Sequence, residues 1–449
     1  MKVLPQSSSL PEALKRLAPF ARRAGIIVTG REKLALRSRQ LQLALIAVDA
    51  AENTVREIMQ NVRCPHYQAL TGTELETLFG LKCCRVLGLL RSGLAEQIQQ
   101  LLRPFALPSP GSGTPCAWDL PPRHPAVAIL GASGIGRHHA KWWKTDGAHV
   151  VAFLGSTPES VCNTAAALHQ HLGGLRPPRG FCSLAELIAQ THPDIADICL
   201  PPPLHYAAAR EALQNGLHVI CEKPFLYDPA LPVETLMAQA DELIALAAAK
   251  RRMLGMASQY YGQVQYCRRL RTGDITRPVE HLRMELFTVL RQHSDTPVET
   301  WIDLGPHLLA AMQAVQENRR LDPASIRLST EGSTTTVTAI CQADGLPPLT
   351  CELKCGRIPN APGAQNRRFL ALDHVAIDCL GCRDQHGHFQ MNLKRHDAAE
   401  NHYHADFLRV LLENFGAGRV IIPGETARDN LKWLLHIARL ITPPQREQR

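Results

Sequence analysis

Hydrophobic positions recur at helical spacing over residues 10–24, run almost unbroken over 41–48, thin to a polar helical pattern over 52–61 and return as an apolar run at 84–90. Helical periodicity interleaved with short continuous apolar runs predicts helices alternating with buried strands. The first 103 residues therefore read as a small α/β/α sandwich. Residues 104–124 are too rich in Pro, Gly and Ser to sustain a helix or an interior strand and read as a linker. An apolar run at 124–130 then opens onto a glycine-rich turn, and strand and helix patterns alternate to about residue 258, the signature of a doubly wound parallel sheet. Beyond it, β-rich runs at 281–290, 324–342, 349–355 and 374–382 predict a mostly antiparallel sheet, joined by an apolar helix at 308–315 and amphipathic runs at 407–415 and 426–441. The expected organisation is a sandwich at 1–103, a linker at 104–124, a doubly wound sheet at 125–258, a second, mostly antiparallel domain at 259–425, and a C-terminal helix and tail at 426–449.

A length of 449 residues agrees with two or three domains at about 150 residues each. With 45% hydrophobic and 20% charged residues the chain is neither largely disordered nor collagen-like. No apolar stretch approaches the ~20 residues that span a bilayer, and no apolar core follows Lys2, so a soluble cytoplasmic protein without a membrane partner is expected. The 14 cysteines are scattered along a long chain and read as reduced thiols. Charge is unevenly distributed. Residues 1–110 hold 15 Lys+Arg against 8 Asp+Glu, whereas the remaining 339 hold 34 against 33, so the basic excess belongs to the first segment and points to an anionic partner there.

The glycine-rich turn is Gly131-Ala-Ser133-Gly134-Ile135-Gly136, between a predicted strand and a predicted helix at 137–144. This is close to the dinucleotide fingerprint, in which the first glycine makes the tight turn and the last lets the helix approach the sheet, its N-terminus facing the pyrophosphate. The second strand, 149–154, runs into Gly155, Ser156 and Thr157, where NAD-binding chains usually carry a carboxylate for the ribose 2′-hydroxyl. Hydroxyls there tolerate a 2′-phosphate, so the cofactor expected is NADP or NAD, with NADP favoured. Further on, Asp194-Ile-Ala-Asp-Ile-Cys-Leu-Pro201-Pro202-Pro-Leu-His205 leads through a helix to Gly216-Leu-His-Val-Ile-Cys-Glu222-Lys223-Pro224.

With the glycine turn, these two stretches resemble the glucose-fructose oxidoreductase, inositol dehydrogenase and rhizopine-catabolism (Gfo/Idh/MocA) family over residues 125 to about 441, the Glu-Lys-Pro tripeptide being the most specific mark. The resemblance implies that Lys223 sits beside the nicotinamide and hydrogen-bonds the substrate oxygen, that Pro201 and Pro202 contact the nicotinamide ribose side, that His205 caps or packs there, and that Glu222 holds a following loop with a cis bond before Pro224. It also implies a homo-oligomer formed through the C-terminal sheet. Asp303 and His307 stand four apart, and a helix beginning at Asp303 would turn both into one cleft. An imidazole can take the hydroxyl proton as hydride leaves, with a carboxylate fixing its tautomer. His307 is thus the expected base and Asp303 its partner. Tyr403 is the expected aromatic facing a sugar-like ligand. Two departures from the family pattern suggest an unusual pocket: Val298-Glu-Thr-Trp301 stands where Gly-Gly usually precedes the Asp, and Ser258-Gln-Tyr-Tyr261 lacks the usual basic residue.

Ala21-Arg-Arg-Ala-Gly25, Gly30 and Asp49-Ala-Ala-Glu-Asn-Thr54 resemble the kink-turn RNA-binding ribosomal protein family, which implies structured RNA as a partner of residues 10–103 through Gly30, Arg31, Lys33 and Arg91. The Asn-Glu pair that follows the glycine in the stronger binders is replaced by Arg31-Glu32, and Leu36 stands where they have Lys. The alternative is a docking domain whose basic residues are a solvated face. The pairs Cys379/Cys382 and His402/His404 with Asp406 lack the spacing of a full ligand set, and no metal is expected. Two functions remain: a dehydrogenase of a polar small substrate, or a non-catalytic sensor of NAD(P) or a metabolite joined to an RNA-binding module. Lys223, Asp303 and His307 together favour chemistry, because a sensor needs no base.

Overall fold

The computed structural model describes residues 10–441 apart from 51, 63, 83, 103–105, 108–117, 174–176, 271–277, 291–295, 317, 384–388 and 398–400. The chain divides into two compact units, residues 1–115 with 272–277, and 116–271 with 278–449.

The first unit runs α1 (Leu10–Arg23), β1 (Ile27–Thr29), α2 (Arg31–Leu36), β2 (Leu41–Ile46), α3 (Glu52–Asn61), β3 (His66–Gln68), α4 (Gly72–Phe79), β4 (Val86–Leu90), α5 (Gly93–Leu102) and β5 (Ala106–Leu107). Its strands form one sheet in the order β1-β4-β2-β3-β5. Alternation along β2 supplies both faces. Leu43 and Leu45 pack with Leu14, Phe79 and Ile98 of α1, α4 and α5, while Ala44 and Ile46 pack with Leu34 and Ile58 of α2 and α3. The result is the α/β/α sandwich expected. Strand β5 falls inside the stretch read as linker, pairing His66 with Leu107. An edge strand of two residues tolerates flanking prolines that an interior strand would not.

The second unit opens with β6 (Ala126–Leu130), α6 (Ile135–Thr145), β7 (His149–Leu154), α7 (Pro158–Leu172), β8 (Arg179–Phe181), α8 (Leu184–Thr191), β9 (Ile195–Ile198), α9 (His205–Gln214), β10 (His218–Glu222), α10 (Val233–Lys250) and β11 (Leu254–Ala257). The six strands are all parallel in the order β11-β10-β9-β6-β7-β8. Chain direction across the sheet reverses between β6 and β9, which opens a crevice at their carboxyl ends, where ligands bind in such sheets.

Then follow α11 (Tyr260–Leu270), β12 (His281–Val289), α12 (Pro297–Gln316), β13 (Arg320–Leu321), β14 (Arg327–Glu331), β15 (Thr334–Gln342), β16 (Leu349–Ile358), β17 (Arg367–Leu372), β18 (Val375–Arg383), β19 (Phe389–Arg395), β20 (Asn401–Ala405), α13 (Phe407–Gly416) and α14 (Gly424–Ile441). The second sheet has the order β13-β15-β16-β12-β17-β18-β19-β20, with β14 on β15. β12 and β16 are parallel and the other pairs antiparallel. Its inner face is apolar along each strand: Leu282, Met284 and Leu286 on β12, Cys351, Leu353 and Cys355 on β16, Leu370 and Leu372 on β17, all buried. No seam separates the two sheets at residue 258, since one apolar core runs from Val127 to Ile437. Polar contacts reinforce the join, with Trp142 Nε1 donating to Asp406 at the N-terminus of α13 (3.0 Å) and Arg409 paired with Asp146 (2.7 Å). Among the described residues no helix is long and apolar enough to cross a membrane.

Candidate active site

Glycine is required throughout the turn between β6 and α6. Gly131 and Gly134 have φ of +90° and +59°, and a Cβ on Gly136 would lie 2.1 Å from the carbonyl oxygen of Gly131. A Cβ on Gly131 would lie 2.7 Å from the carbonyl oxygen of Cys199, on the loop after β9. Gly134 caps α6 and no side chain accepts its first amides. Those amides, at the positive end of the helix dipole and beside exposed Ser133, fit a pyrophosphate. At the end of β7, Gly155, Ser156 and Thr157 present no carboxylate. Thr157 is committed to capping α7, its Oγ1 accepting from Ser160 N (3.1 Å), while the Ser156 hydroxyl lies 3.4 Å from that of Ser160 at the edge of the same cap. Pro201 and Pro202 follow the carboxyl end of β9, Pro202 opening a short 3-10 turn. The cavity wall here is Cys199 and Leu200 instead, with Ile135 beyond.

β10 ends at Glu222, and the Lys223–Pro224 bond is cis as the resemblance implied. His205 is fully buried and holds this turn rather than a ligand, its Nε2 at 2.7 Å from the Leu200 carbonyl and its Nδ1 at 3.0 Å from that of Pro224. Glu222 Oε2 accepts from Lys223 N (3.1 Å), and Oε1 lies 3.0 Å from His139 Nε2. His139 Nδ1 lies 2.9 Å from Asp197, which also accepts from Trp143 Nε1 (2.7 Å). Burial alone would lower the His139 pKa, but Asp197 raises it well above the usual range. The ring is therefore an imidazolium donating to both carboxylates, and it fixes Glu222 behind the lysine. Among the described residues His139, Asp197 and Cys199 have their ligand atoms within 4.8 Å of one another, but those atoms are spent on mutual hydrogen bonds.

A cavity of about 940 Å³ at this crevice is lined from below by Glu222 and Lys223, from the side by Asp303 and His307 of α12, and from above by Thr288, Arg357 and Arg368 of the second sheet. α12 begins six residues before Asp303, which still sets Asp303 and His307 one turn apart on the cavity side. Their expected partnership is replaced by another. Asp303 Oδ1 takes Lys223 Nζ (2.6 Å) and Oδ2 takes Arg357 Nη2 (2.8 Å), and the Asp303 carbonyl accepts from Lys223 as well (2.9 Å). Burial pushes the Asp303 carboxyl up, yet the two cations together hold it well below the usual carboxylate range. His307 instead has Ser258 Oγ at 2.9 Å from Nδ1 and Tyr260 packed edge-on at 4.7 Å between ring centroids. The Ser258 hydroxyl can serve either tautomer, and in the one whose Nδ1–H donates to it Nε2 keeps its lone pair. Burial, then Lys223 and Arg368, push the His307 pKa well below the ordinary imidazole value, against the opposing pull of Asp303. His307 is thus a neutral imidazole at neutral pH.

Ser258, Tyr260, Arg357 and Arg368 were not singled out from the sequence. Their signal was phase. Arg357 continues the inward positions Cys351, Leu353 and Cys355, and Arg368 precedes Leu370 and Leu372 on the inward face, so each is a charge on an apolar face. Tyr403 lies on β20, and its side chain is outside those described. In the first unit, β1 and β4 pair antiparallel with Thr29 opposite Leu87, so Gly30, Arg31 and Lys33 sit at the start of β4 while Arg91 follows its far end, its amide bonded to Gln40 (3.1 Å). The backbones of Gly30, Arg31 and Lys33 on one side and of Arg91 on the other thus lie towards opposite ends of β4. Arg31 is further engaged by Glu57 (2.6 Å).

Residues 126–258 match the oxidoreductase family with an NAD-binding Rossmann fold, GFO_IDH_MocA. A UDP-N-acetylglucosamine 3-dehydrogenase from Acidithiobacillus ferrooxidans is 27% identical over 260 residues, covering 57% of this chain and 75% of that one. Its crystal structure superposes with a TM-score of 0.50 at 19% identity over 70% of this chain and 97% of the other. An inositol dehydrogenase homologue from Azotobacter vinelandii, complexed with NADH and myo-inositol, gives 0.51 at 16% identity over 72% and 96%. These structural likenesses agree with the two-sheet fold. Residues 126–258 are thus an NAD-binding Rossmann domain of the Gfo/Idh/MocA oxidoreductase type, in a chain whose relatives include a named dehydrogenase.

Proposed function

We propose that the second unit interconverts a secondary hydroxyl and a ketone on a sugar-like or cyclitol substrate. The observation that carries this reading is the 2.6 Å ion pair between Lys223 and Asp303, with His307 one turn further along α12 and all three on one cavity beside the dinucleotide turn. The amides of the Gly131–Gly136 turn bind the pyrophosphate. The bound nicotinamide supplies the hydride acceptor. Lys223 Nζ donates to the substrate oxygen, exchanging one of its hydrogen bonds to Asp303, and stabilises the charge that develops as the proton departs. His307 Nε2 takes that proton, with the ring in the tautomer whose Nδ1–H donates to Ser258. Asp303 and Arg357 orient the lysine. Polyhydroxyl substrates are supported by the names of the relatives, one a sugar-nucleotide dehydrogenase and one an inositol dehydrogenase homologue. NADP is favoured over NAD by Ser156 and the lack of a carboxylate at the end of β7. The test follows NAD(P)H formation over a panel of polyols, cyclitols and sugar nucleotides, with wild type and Lys223→Ala. Cofactor-dependent turnover that falls by about 10²-fold or more in the variant is expected. Tight cofactor binding with no turnover on any substrate would leave the sensor reading in its place.

The basic end of the first unit favours a second role. Exposed Arg31 and Lys33 follow Gly30, at φ +92°, where β1 ends opposite the start of β4. They form the RNA-contacting face, and binding of a kink-turn RNA that weakens steeply with salt is the expected result. Salt-insensitive binding, or none, would make this unit a docking module. Self-association through the outward face of the second sheet, where Arg283 and Arg367 are exposed, is checked by sedimentation.

A further inference from the structure

Each strand roofing the cavity is apolar on its inward face except at the end that meets the cavity, the last inward position of β12 and β16 and the first of β17. The register aligns Leu286 with Arg368 and with Cys355, and Thr288 with Arg357, so the inward row changes from aliphatic to cationic where the sheet meets the cavity. The two arginines differ in what they hold. Arg357 is spent inside the protein, on Asp303 and on Thr288 Oγ1. Arg368 donates through Nε to Tyr260 Oη (2.7 Å), which fixes the plane of its guanidinium, and its two terminal nitrogens have no partner among the described residues. Among the described residues no carboxylate is paired with it. Of the acids lining the cavity, Asp303 is shared by Lys223 and Arg357, and Glu222 is held by His139. Asp406 accepts from Trp142 and from the amide of Leu408, and burial raises its pKa. A half-buried guanidinium with a locked Nε and two outward N–H edges is the geometry that receives a planar pair of anionic oxygens. The partly desolvated setting strengthens that attraction relative to water.

We propose that Arg368 binds an anionic oxygen group, a carboxylate or a phosphate ester, carried by the polyol substrate. The inference rests on the dehydrogenase reading for the word substrate, but the ligand chemistry stands on the arginine. Tyr260 links the two halves of the site, accepting from Arg368 on its hydroxyl while its ring packs against His307. The anion therefore sits one side chain away from the base, so it selects which hydroxyl faces His307 as well as which molecule enters.

The experiment uses the full-length chain saturated with cofactor and three probes, D-glucose, D-glucuronate and D-glucose 6-phosphate. Calorimetry gives their affinities, and NAD(P)H formation gives kcat and KM where turnover occurs. Wild type is expected to bind at least one anion about tenfold or more tightly than glucose, and the glucuronate and phosphate arms tell carboxylate from phosphate. Arg368→Gln should collapse that ratio towards one. Arg368→Lys, which keeps the charge but loses the fork, should retain part of it. Retained cofactor binding in both variants checks that they fold. Equal affinity for all three probes, no binding of either anion, or an anion preference that survives Arg368→Gln overturns the proposal. Anion selectivity without turnover would sink the dehydrogenase reading and leave this one standing, whereas turnover of neutral polyols with no anion preference would do the reverse.

Discussion

At the scale of single residues, the site depends on two groups held in opposite charge states a few ångströms apart. Asp303 is kept ionised by Lys223 and Arg357, and His307 is kept neutral by burial and by the same lysine. The second has a kinetic sign. A base works while unprotonated, and the folded pKa of His307 lies below the ordinary imidazole value. The acid limb of kcat/KM for alcohol oxidation is therefore expected below pH about 6.5. A limb at or above that value would mean that the imidazole is not the base. Asp303→Asn removes the carboxylate between two cations and leaves them facing each other. The expected outcome is a loss of kcat of about 10²-fold, with cofactor affinity kept, read by comparing turnover with cofactor titration. Much of this chemistry was legible beforehand, since Glu222-Lys223-Pro224 and the i, i+4 spacing of Asp303 and His307 are local. The partner swap was not. Ser258 lies 49 residues from His307 and Arg357 lies 54 from Asp303, and nothing in local spacing joins them.

Elements supply the rigidity. Helix α6 begins at a turn whose Gly131 and Gly136 have no room for a side chain and carries His139, Trp142 and Trp143 on its inner face, tying the cofactor turn to Glu222, to Asp406 and to Asp197. His139→Asn leaves buried Asp197 and part-buried Glu222 without the charge that joins them, and a loss of about 3–5 kcal/mol in stability is expected from chemical denaturation. The pH dependence of that loss follows from the raised pKa. The contribution of His139 is fully present below its unfolded pKa and disappears as pH rises through the folded one, so the gap between variant and wild type should be largest at acidic to neutral pH and narrow in alkaline buffer. A gap that widens with pH would contradict an imidazolium there. The strands of the parallel sheet were readable because burial on both faces makes each a continuous apolar run. Strands β17 and β19 were missed because each mixes inward apolar residues with outward or cavity-facing charges, as in Arg367-Arg-Phe-Leu-Ala-Leu372.

At the scale of the whole molecule, two units have separate cores: Leu14, Leu43 and Phe79 with their neighbours in one, and a continuous core from Val127 to Ile437 in the other. Separate cores predict separate cooperative transitions. Cofactor is expected to raise the melting temperature of one calorimetric transition and leave the other unmoved, because ligand stabilises only the unit that binds it. A single transition shifted as a whole would show that the units melt together. The roof of the cavity has an evolutionary consequence. On β12, β16 and β17 the positions that make the core and the positions that meet the substrate are different residues of the same strands, core first on β12 and β16 and cavity first on β17. Substitutions at Thr288, Arg357 and Arg368 change what the cavity accepts while the aliphatic row that holds the sheet stays intact. Such a scaffold lets substrate range diverge between descendants faster than fold or hydride chemistry, with the ends of three strands as the place where that divergence is recorded.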